Sequence, residues 1–213
     1  DYFGNNVIRF SLEDHHESLT VTAAMTVEVT VLAPPDPRST SPWDAVAREI
    51  LSPTTAAEIE TNSFLFGSSH ATTTPELDRF AKERFSPGRP VLEALLDLNH
   101  RINKDFEFNA EATGIATPVK TVLRRRKGVC QDFAHAMTAY CRSLGIPARY
   151  VSGYFFDSTR DQNLRGSEAS HAWVEVYLGQ HGWVGLDPTN RKIVDDTYVV
   201  LAYGRDYRDV APV

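Results

Sequence analysis

The sequence predicts an α+β fold, in which helices pack on an antiparallel sheet and a partial β region comes first. Helix starts and helical spacing of apolar residues dominate between residues 41 and 106, and again after residue 130. β-branched and aromatic runs dominate from residue 148 onward. Helical segments grouped ahead of a run of strands favour an antiparallel sheet over one built from alternating strands and helices.

The first 35 residues predict strands. Residues 7–12 and 19–31 are β-rich, and in the second run apolar residues fall on alternate positions, which is the period of a strand with one buried face. Two strands are not stable alone. We therefore expect residues 1–35 to form a β region that lies on a sheet elsewhere in the protein, and residues 36–213 to form the main domain.

Helix signals follow. Ser-Pro or Thr-Pro pairs at residues 41, 52 and 74 are typical of helix starts. A longer helix is predicted from Pro90 to Phe106, where apolar residues recur at steps of three and four. After the next helix, four runs predict strands: "ARYVSGYFF", "SHAWVEVYL", "GWVGLDP" and "TYVVLAYG".

The composition excludes several classes of function. A formal net charge of −6 argues against bulk nucleic-acid binding, which needs surplus Lys and Arg on one face. No apolar run approaches the roughly 20 residues that span a bilayer. Cys130 and Cys141 lie about 16 Å apart along one predicted helix, whereas a disulfide needs Cα atoms within about 7 Å. Two free thiols favour the cytoplasm, and we expect neither a nucleic-acid nor a membrane partner.

Cys130 lies where a reactive cysteine is favoured. Gly128 permits a tight turn just before it, and the helix that follows ends at Gly145 and Pro147. At a helix N-terminus, the macrodipole and the unpaired N–H groups favour the thiolate over the thiol. The same N–H groups, including that of Cys130, can bind the oxyanion of a tetrahedral intermediate. Cys141, inside the helix, is predicted to be a packing residue.

A nucleophilic thiol requires a base, and the base requires an orienting group. The candidates are His171, near the start of "SHAWVEVYL", and Asp187, near the end of "GWVGLDP". The loop "GQHG" joins these runs as a hairpin, which brings His171 within a few residues of Asp187 on the neighbouring strand. We therefore predict an imidazole–carboxylate hydrogen bond, with Cys130 approaching from the helix.

Two blocks, "GVCQDFAHAMTAYCRSLGIPARYVSGY" and "SHAWVEVYLGQHGWVGLDPTN", resemble the transglutaminase-like superfamily with its papain-like core. The closest resemblance is to bacterial members described as "putative cysteine proteases", and it covers roughly residues 90–205. It implies a catalytic triad in which Cys130 is the nucleophile, His171 the general base and acid, and Asp187 the residue that orients His171. We expect no cofactor and no metal, because no calcium-site pattern is present.

The resemblance extends to the N-terminus. The opening 29 residues are similar to the end of the β-sandwich that precedes the core in the bacterial members. This implies that the chain lacks the first part of that region.

The remaining cleft residues are assigned as follows. Papain-like enzymes carry a Gln six residues before the cysteine, but here that position is Arg124. We expect the Cys130 N–H to be one oxyanion donor, with Tyr154 or an upstream loop group as the second. Trp173 is expected either to pack in the core or to wall the substrate cleft. The basic run at 124–127 is either a solvated surface or a patch that biases the thiolate or binds an acidic substrate.

Together these residues predict cysteine-dependent acyl transfer at an amide of a peptide or protein, through a thioester. Water as the acceptor gives hydrolysis, which we favour, and an amine gives transamidation that cross-links a glutamine. A catalytically silent binding or scaffold module is an alternative, although it would not need all three polar positions to be retained. A metallohydrolase would need convergent ligands at fixed spacing, which the sequence lacks.

Overall fold

The computed structural model of the chain describes residues 1–75, 77, 81, 85–114, 117–156 and 170–211. Within them the α+β prediction is confirmed, because helices pack on one face of an antiparallel sheet. The α-helices whose bounds lie in the described residues are α1 (Trp43–Glu49), α2 (Ala56–Asn62), α3 (Val91–Asp105), α4 (Val119–Arg125) and α5 (Cys130–Ser143). No helix in the described ranges is both long enough and apolar enough to span a bilayer.

The strands form two sheets. Their bounds are β1 (Glu107–Phe108), β2 (Lys127–Gly128), β3 (Ala148–Phe155), β4 (Ser170–Tyr177), β5 (Trp183–Asp187), β6 (Lys192–Ile193) and β7 (Tyr198–Gly204). β1 and β2 make a small parallel pair, and the other five form an antiparallel sheet in the order β6-β5-β4-β3-β7. The four runs predicted as strands are therefore β3, β4, β5 and β7.

Helix α5 packs on the centre of the sheet. Successive residues of a strand point to opposite faces, and one face of β4, with Ala172, Val174 and Val176, joins the main core. In the same core lie Phe133 and other apolar residues of α5, together with Cys141. Cys141 is fully buried and burial raises the pKa of its thiol to about 12, which confirms the predicted packing role. The other face of β4 carries His171 and Trp173.

The N-terminal segment differs from its sequence-based prediction. No strand is assigned within residues 1–36, and the alternating apolar side chains at 19–31 are largely exposed. The physical reason is that a strand needs a hydrogen-bonding edge, and no described strand pairs with this segment. In this segment, the side-chain amide of Asn5 makes two hydrogen bonds, of 2.8 and 3.0 Å, with the backbone of Tyr203 in the edge strand β7. A domain boundary between residues 35 and 36 stays a prediction.

Some helix starts are also displaced. The backbone of Ser41 accepts a hydrogen bond from Val91, and Pro42 takes the N-cap position expected for Ser41, so α1 begins one residue late, at Trp43. α2 begins at Ala56 instead of after residue 52, because Thr55 and Glu58 form a capping box. The helix predicted after residue 74 falls largely outside the described residues.

Candidate active site

Cys130 is the first residue of α5 and is partly buried. Val129 precedes it in an extended conformation, and its N–H donates a 2.9 Å hydrogen bond to the carboxylate of Asp132. The Thr113 hydroxyl donates to the same carboxylate oxygen. Asp132 thus caps the helix N-terminus and ties the turn before Cys130 to the loop that contains Thr113.

The backbone before Cys130 approaches the Asp132 side chain unusually closely. A Cβ added at Gly128 would lie 2.4 Å from the Asp132 Oδ2 atom and 2.7 Å from its Cβ atom. Gly128 also ends strand β2, which pairs with β1. The glycine is therefore required by the cap that orients Cys130, which is a more specific role than the tight turn predicted from the sequence.

His171 and Asp187 meet through the register of β4 and β5. Val174 pairs with Leu186 in this antiparallel pair, so Asp187 lies beside Trp173. His171 precedes Trp173 by two residues in β4 and therefore lies on the same face of the sheet. The His171 Nε2 atom lies 2.8 Å from Asp187 Oδ2, and both side chains are fully buried. The structure therefore contains the predicted imidazole–carboxylate hydrogen bond.

Asp187 is surrounded by hydrogen-bond donors. Its Oδ1 atom accepts the backbone N–H groups of Thr189, at 2.8 Å, and Asn190, at 3.2 Å. Its Oδ2 atom accepts from His171, from the Asn190 side chain at 2.8 Å and from the Tyr198 hydroxyl at 2.8 Å. Burial alone would raise the pKa of Asp187, but the bonds from these donors lower it. The carboxylate is therefore ionised at neutral pH.

His171 links this carboxylate to Cys130. Burial acts to lower the pKa of His171, but the hydrogen bond with Asp187 and the nearby Cys130 sulfur outweigh it and raise the pKa to about 9. The second ring nitrogen, Nδ1, meets strict hydrogen-bond geometry with no described atom. Cys130 is nevertheless close enough to contribute to the raised pKa, and such contacts often tighten only when substrate binds. A protonated His171 between two acidic groups can stabilise a negative sulfur and later give up its proton.

Of the other two predicted cleft residues, Trp173 lies beside this cluster, with its ring centroid 6.2 Å from that of His171. Trp173 is 0% exposed and packs edge-on against Tyr198, at 5.2 Å between ring centroids. It is a core residue, which is the first of the two alternatives expected from the sequence, and it does not wall a cleft because no part of it reaches the surface. Tyr154 is 50% exposed, and no described hydrogen bond joins it to Cys130. Its role as an oxyanion donor stays a prediction.

Sequence reasoning missed the residues that hold Asp187. Asn190 could have been noticed, because it follows Asp187 within the "DPTN" turn, where side chains commonly bond back to the backbone. Tyr198 had no local signal, since it arrives from the far edge of the sheet. Asn103 of α3 also had no local signal in the sequence. Its amide donates a 2.7 Å hydrogen bond to the carbonyl of Thr189 and so holds the turn that follows Asp187.

Comparison with known proteins agrees with the fold. Residues 78–188 match the family model described as "Transglutaminase-like superfamily", and this range includes Cys130, His171 and Asp187. The chain belongs to the transglutaminase-like superfamily.

Individual relatives extend this result. An uncharacterized protein of Mycobacterium tuberculosis is 37% identical over 226 residues, covering 100% of this chain and 69% of the relative. A Pseudomonas aeruginosa protein named protein-glutamine gamma-glutamyltransferase is 39% identical over 117 residues, which cover 53% of this chain and 17% of that protein. The crystal structure of a "Putative Cysteine Protease" from Cytophaga hutchinsonii superposes with a TM-score of 0.60 at 32% identity. That match covers 70% of this chain and 48% of the other, so this chain spans about half of that structure.

Proposed function

We propose that the protein is a cysteine-dependent hydrolase that cleaves an amide of a peptide or protein substrate through a thioester. The observation that carries the proposal is the placement of His171. It bonds Asp187 through Nε2 at 2.8 Å, and Cys130 is near enough to raise its pKa. A thiol at a helix N-terminus, an imidazole and a buried carboxylate together make a nucleophile, an acid–base group and an orienting group.

In the first half-reaction, the Cys130 sulfur attacks the amide carbonyl carbon. The carbonyl electrons move to oxygen, and the N–H groups at the start of α5 stabilise that oxyanion. When the tetrahedral intermediate collapses, the C–N bond breaks and His171 gives its proton to the departing amine. The products are a free amine, a thioester on Cys130 and a neutral His171.

In the second half-reaction, neutral His171 takes a proton from water as the water oxygen attacks the thioester carbon. The C–S bond then breaks, which releases a carboxylic acid and restores the sulfur anion beside a protonated His171. Asp187 keeps its charge throughout, because its five hydrogen bonds stabilise the carboxylate. Its role is to fix the tautomer and orientation of His171.

Transamidation is the second candidate, and the similarity to the Pseudomonas aeruginosa protein-glutamine gamma-glutamyltransferase favours it. The first half-reaction is the same, and an amine takes the place of water in the second. The two candidates therefore differ only in the acceptor that reaches the thioester.

One experiment separates these functions. A peptide library is incubated with the protein, with and without an isotopically labelled primary amine, and the products are analysed by mass spectrometry. Cleaved peptides support amide hydrolysis in the main chain, a mass gain of one unit at glutamine indicates deamidation, and incorporated label indicates transamidation. Cys130→Ala is the inactive control, and Cys141→Ala controls for loss of a thiol. If no product depends on Cys130, the acyl-transfer proposal fails.

A further inference from the structure

A cavity lies in the helical layer, away from the Cys130 cluster. It has a volume of about 320 Å³ and opens between α3, α4 and α5. Its apolar wall is formed by aliphatic and aromatic side chains of α3, α4 and the segments next to them: Leu77, Leu98, Ile102, Phe106, Val119 and Leu123. Cavities of this size are at the lower end of small-molecule sites.

The cavity is separate from the active-site cluster. Its contact with α5 is through Tyr140, which follows Cys130 by ten residues, or about 15 Å along the helix axis. Neither His171 nor Asp187 lines it. A ligand seated there would therefore not occupy the position where an amide meets the sulfur.

The mouth of the cavity is basic although the chain is acidic overall. Among the described residues, four cationic side chains and one carboxylate line it: Arg101, Lys120, Arg124, Arg126 and Asp105. Arg101 bonds Asp105 at 3.1 Å. In the described part of the chain, Lys120, Arg124 and Arg126 form no ion pair. This local excess of positive charge contrasts with the net charge of −6 for the whole chain.

We propose that this cavity is a binding site for a small amphipathic anion, such as a medium-chain carboxylate. The apolar wall would take the hydrocarbon body, and the cations at the mouth would hold the acid group. A cavity of 320 Å³ has room for about ten non-hydrogen atoms, at roughly 30 Å³ for each water-sized group. This size matches an eight-carbon acid. The proposal also gives a function to two residues of the basic run, Arg124 and Arg126, which the catalytic cluster leaves without one.

The neighbouring arginines of α4 provide a matched pair of variants. Arg124 and Arg125 are consecutive, exposed and at the same end of the helix, but only Arg124 lines the cavity. Arg124→Glu and Arg125→Glu therefore change the net charge of the protein equally, and neither removes a buried side chain. A difference between them reports on the cavity and not on overall charge.

The test is isothermal titration calorimetry of the whole chain with octanoate, octylammonium and acetate. The expected result is one octanoate site per chain, at least tenfold weaker binding of octylammonium and no detectable binding of acetate. Arg124→Glu should weaken octanoate binding roughly five- to tenfold, the effect of about 1–1.4 kcal/mol from one reversed charge, while Arg125→Glu leaves it within twofold. Leu123→Asn, which makes the wall polar, should weaken binding without removing the mouth charges.

Four outcomes would overturn the proposal. The first is an absence of octanoate binding to the unmodified chain. The second is equal affinity for octanoate and octylammonium, which would show that charge plays no part. The third is binding that Arg124→Glu and Arg125→Glu affect equally. The fourth is binding at more than one site per chain, as expected if octanoate coats the exposed apolar residues at 7–32. None of these measurements depends on catalysis, so the result is independent of the proposed function.

Discussion

Tyr198 and His171 both lie 2.8 Å from the same oxygen of Asp187, the Tyr198 hydroxyl on one side and the His171 imidazole on the other. The two donors share one acceptor, so the negative charge available to His171 depends on Tyr198. The Tyr198 ring is buried and packs on Phe155 and Trp173, which fixes the hydroxyl in place. Tyr198 is thus a positioning residue that also tunes the charge of the carboxylate.

Replacing Tyr198 by Phe is expected to raise the pKa of His171 further. The variant keeps the ring but removes one donor, so Asp187 interacts more strongly with the imidazolium. The alkaline limb of the pH profile of kcat/KM should move to higher pH, and kcat should fall about three- to tenfold because the carboxylate is held less firmly. Tyr203→Phe is the control, since Tyr203 contacts no atom of Asp187 in the described hydrogen bonds. An unchanged pH profile would assign Tyr198 a packing role only.

Whether the sequence predicts a residue of this site depends on whether a local pattern or only tertiary packing brings that residue there. Cys130, His171 and Asp187 belong to local patterns, a helix start and the two arms of a hairpin, and these patterns predict their proximity. Tyr198 and Asn103 reach the site only through tertiary packing, from an edge strand and a helix far apart in sequence. No periodicity or turn signal reports such contacts.

The N-terminal region has a clear local pattern but, among the described residues, lacks the tertiary contact that the pattern requires. The alternation at residues 19–31 is a clear strand pattern, but a strand also needs an edge with which to pair. The described sheet ends in the edge strands β6 and β7, but neither of them pairs with residues 19–31. The local pattern therefore predicts that this segment prefers an extended conformation, but it does not predict which strand the segment would pair with.

Stability should depend on His171 at alkaline pH. The pKa of His171 is about 9 in the folded chain, compared with about 6.5 for an unperturbed histidine. A raised folded-state pKa stabilises the fold fully below about pH 6.5, and that contribution is lost as the pH rises through about 9. Urea unfolding at pH 6, 7.5 and 9.5 should therefore show a decline for the wild type that His171→Gln largely abolishes. His181→Gln, at an exposed position, should retain the decline.

Gly128→Ala should reduce both stability and activity. The added methyl group would overlap the Asp132 carboxylate, so the cap on Val129 must break or the turn must shift. Loss of a helix cap costs about 1–2 kcal/mol, and a displaced Cys130 should lower kcat by at least about tenfold. Gly114→Ala is the matched control, because a Cβ there meets no atom of the described residues within 4 Å. Denaturant titration and turnover measurements that place both variants at the same values would show that the close approach is not required.

The two cysteines should differ widely in reactivity. Cys130 is partly accessible, lies at a helix N-terminus and is near His171, whereas Cys141 is fully buried with a pKa raised to about 12. Iodoacetamide near pH 6.5 should alkylate Cys130 at least 100-fold faster than Cys141, as measured by peptide mass spectrometry over time. His171→Gln should slow the labelling of Cys130 and leave Cys141 unaffected. Similar slow rates at both cysteines would remove Cys130 as the nucleophile.

Asp187→Asn is expected to lower stability as well as activity. All the described groups bonded to Asp187 are donors: two backbone N–H groups on Oδ1, and the His171, Asn190 and Tyr198 side chains on Oδ2. An asparagine amide can therefore be placed in neither orientation without turning its NH₂ group toward other donors. Turnover should fall roughly 10³- to 10⁴-fold because the His171 tautomer is lost. The free energy of unfolding should fall by about 2–3 kcal/mol because buried donors lose their acceptor.

The double variant Asp187→Asn/Tyr198→Phe tests this explanation directly. Removing the Tyr198 hydroxyl takes away one of the donors that face the new NH₂ group. The loss of stability in the double variant should then be smaller than the sum of the two single losses, by about 1 kcal/mol, a coupling typical of contacting residues. Urea unfolding of the four chains gives this coupling energy. Additive losses would mean that the donors around Asp187 rearrange independently, and that the shared oxygen is not what couples Tyr198 to the carboxylate.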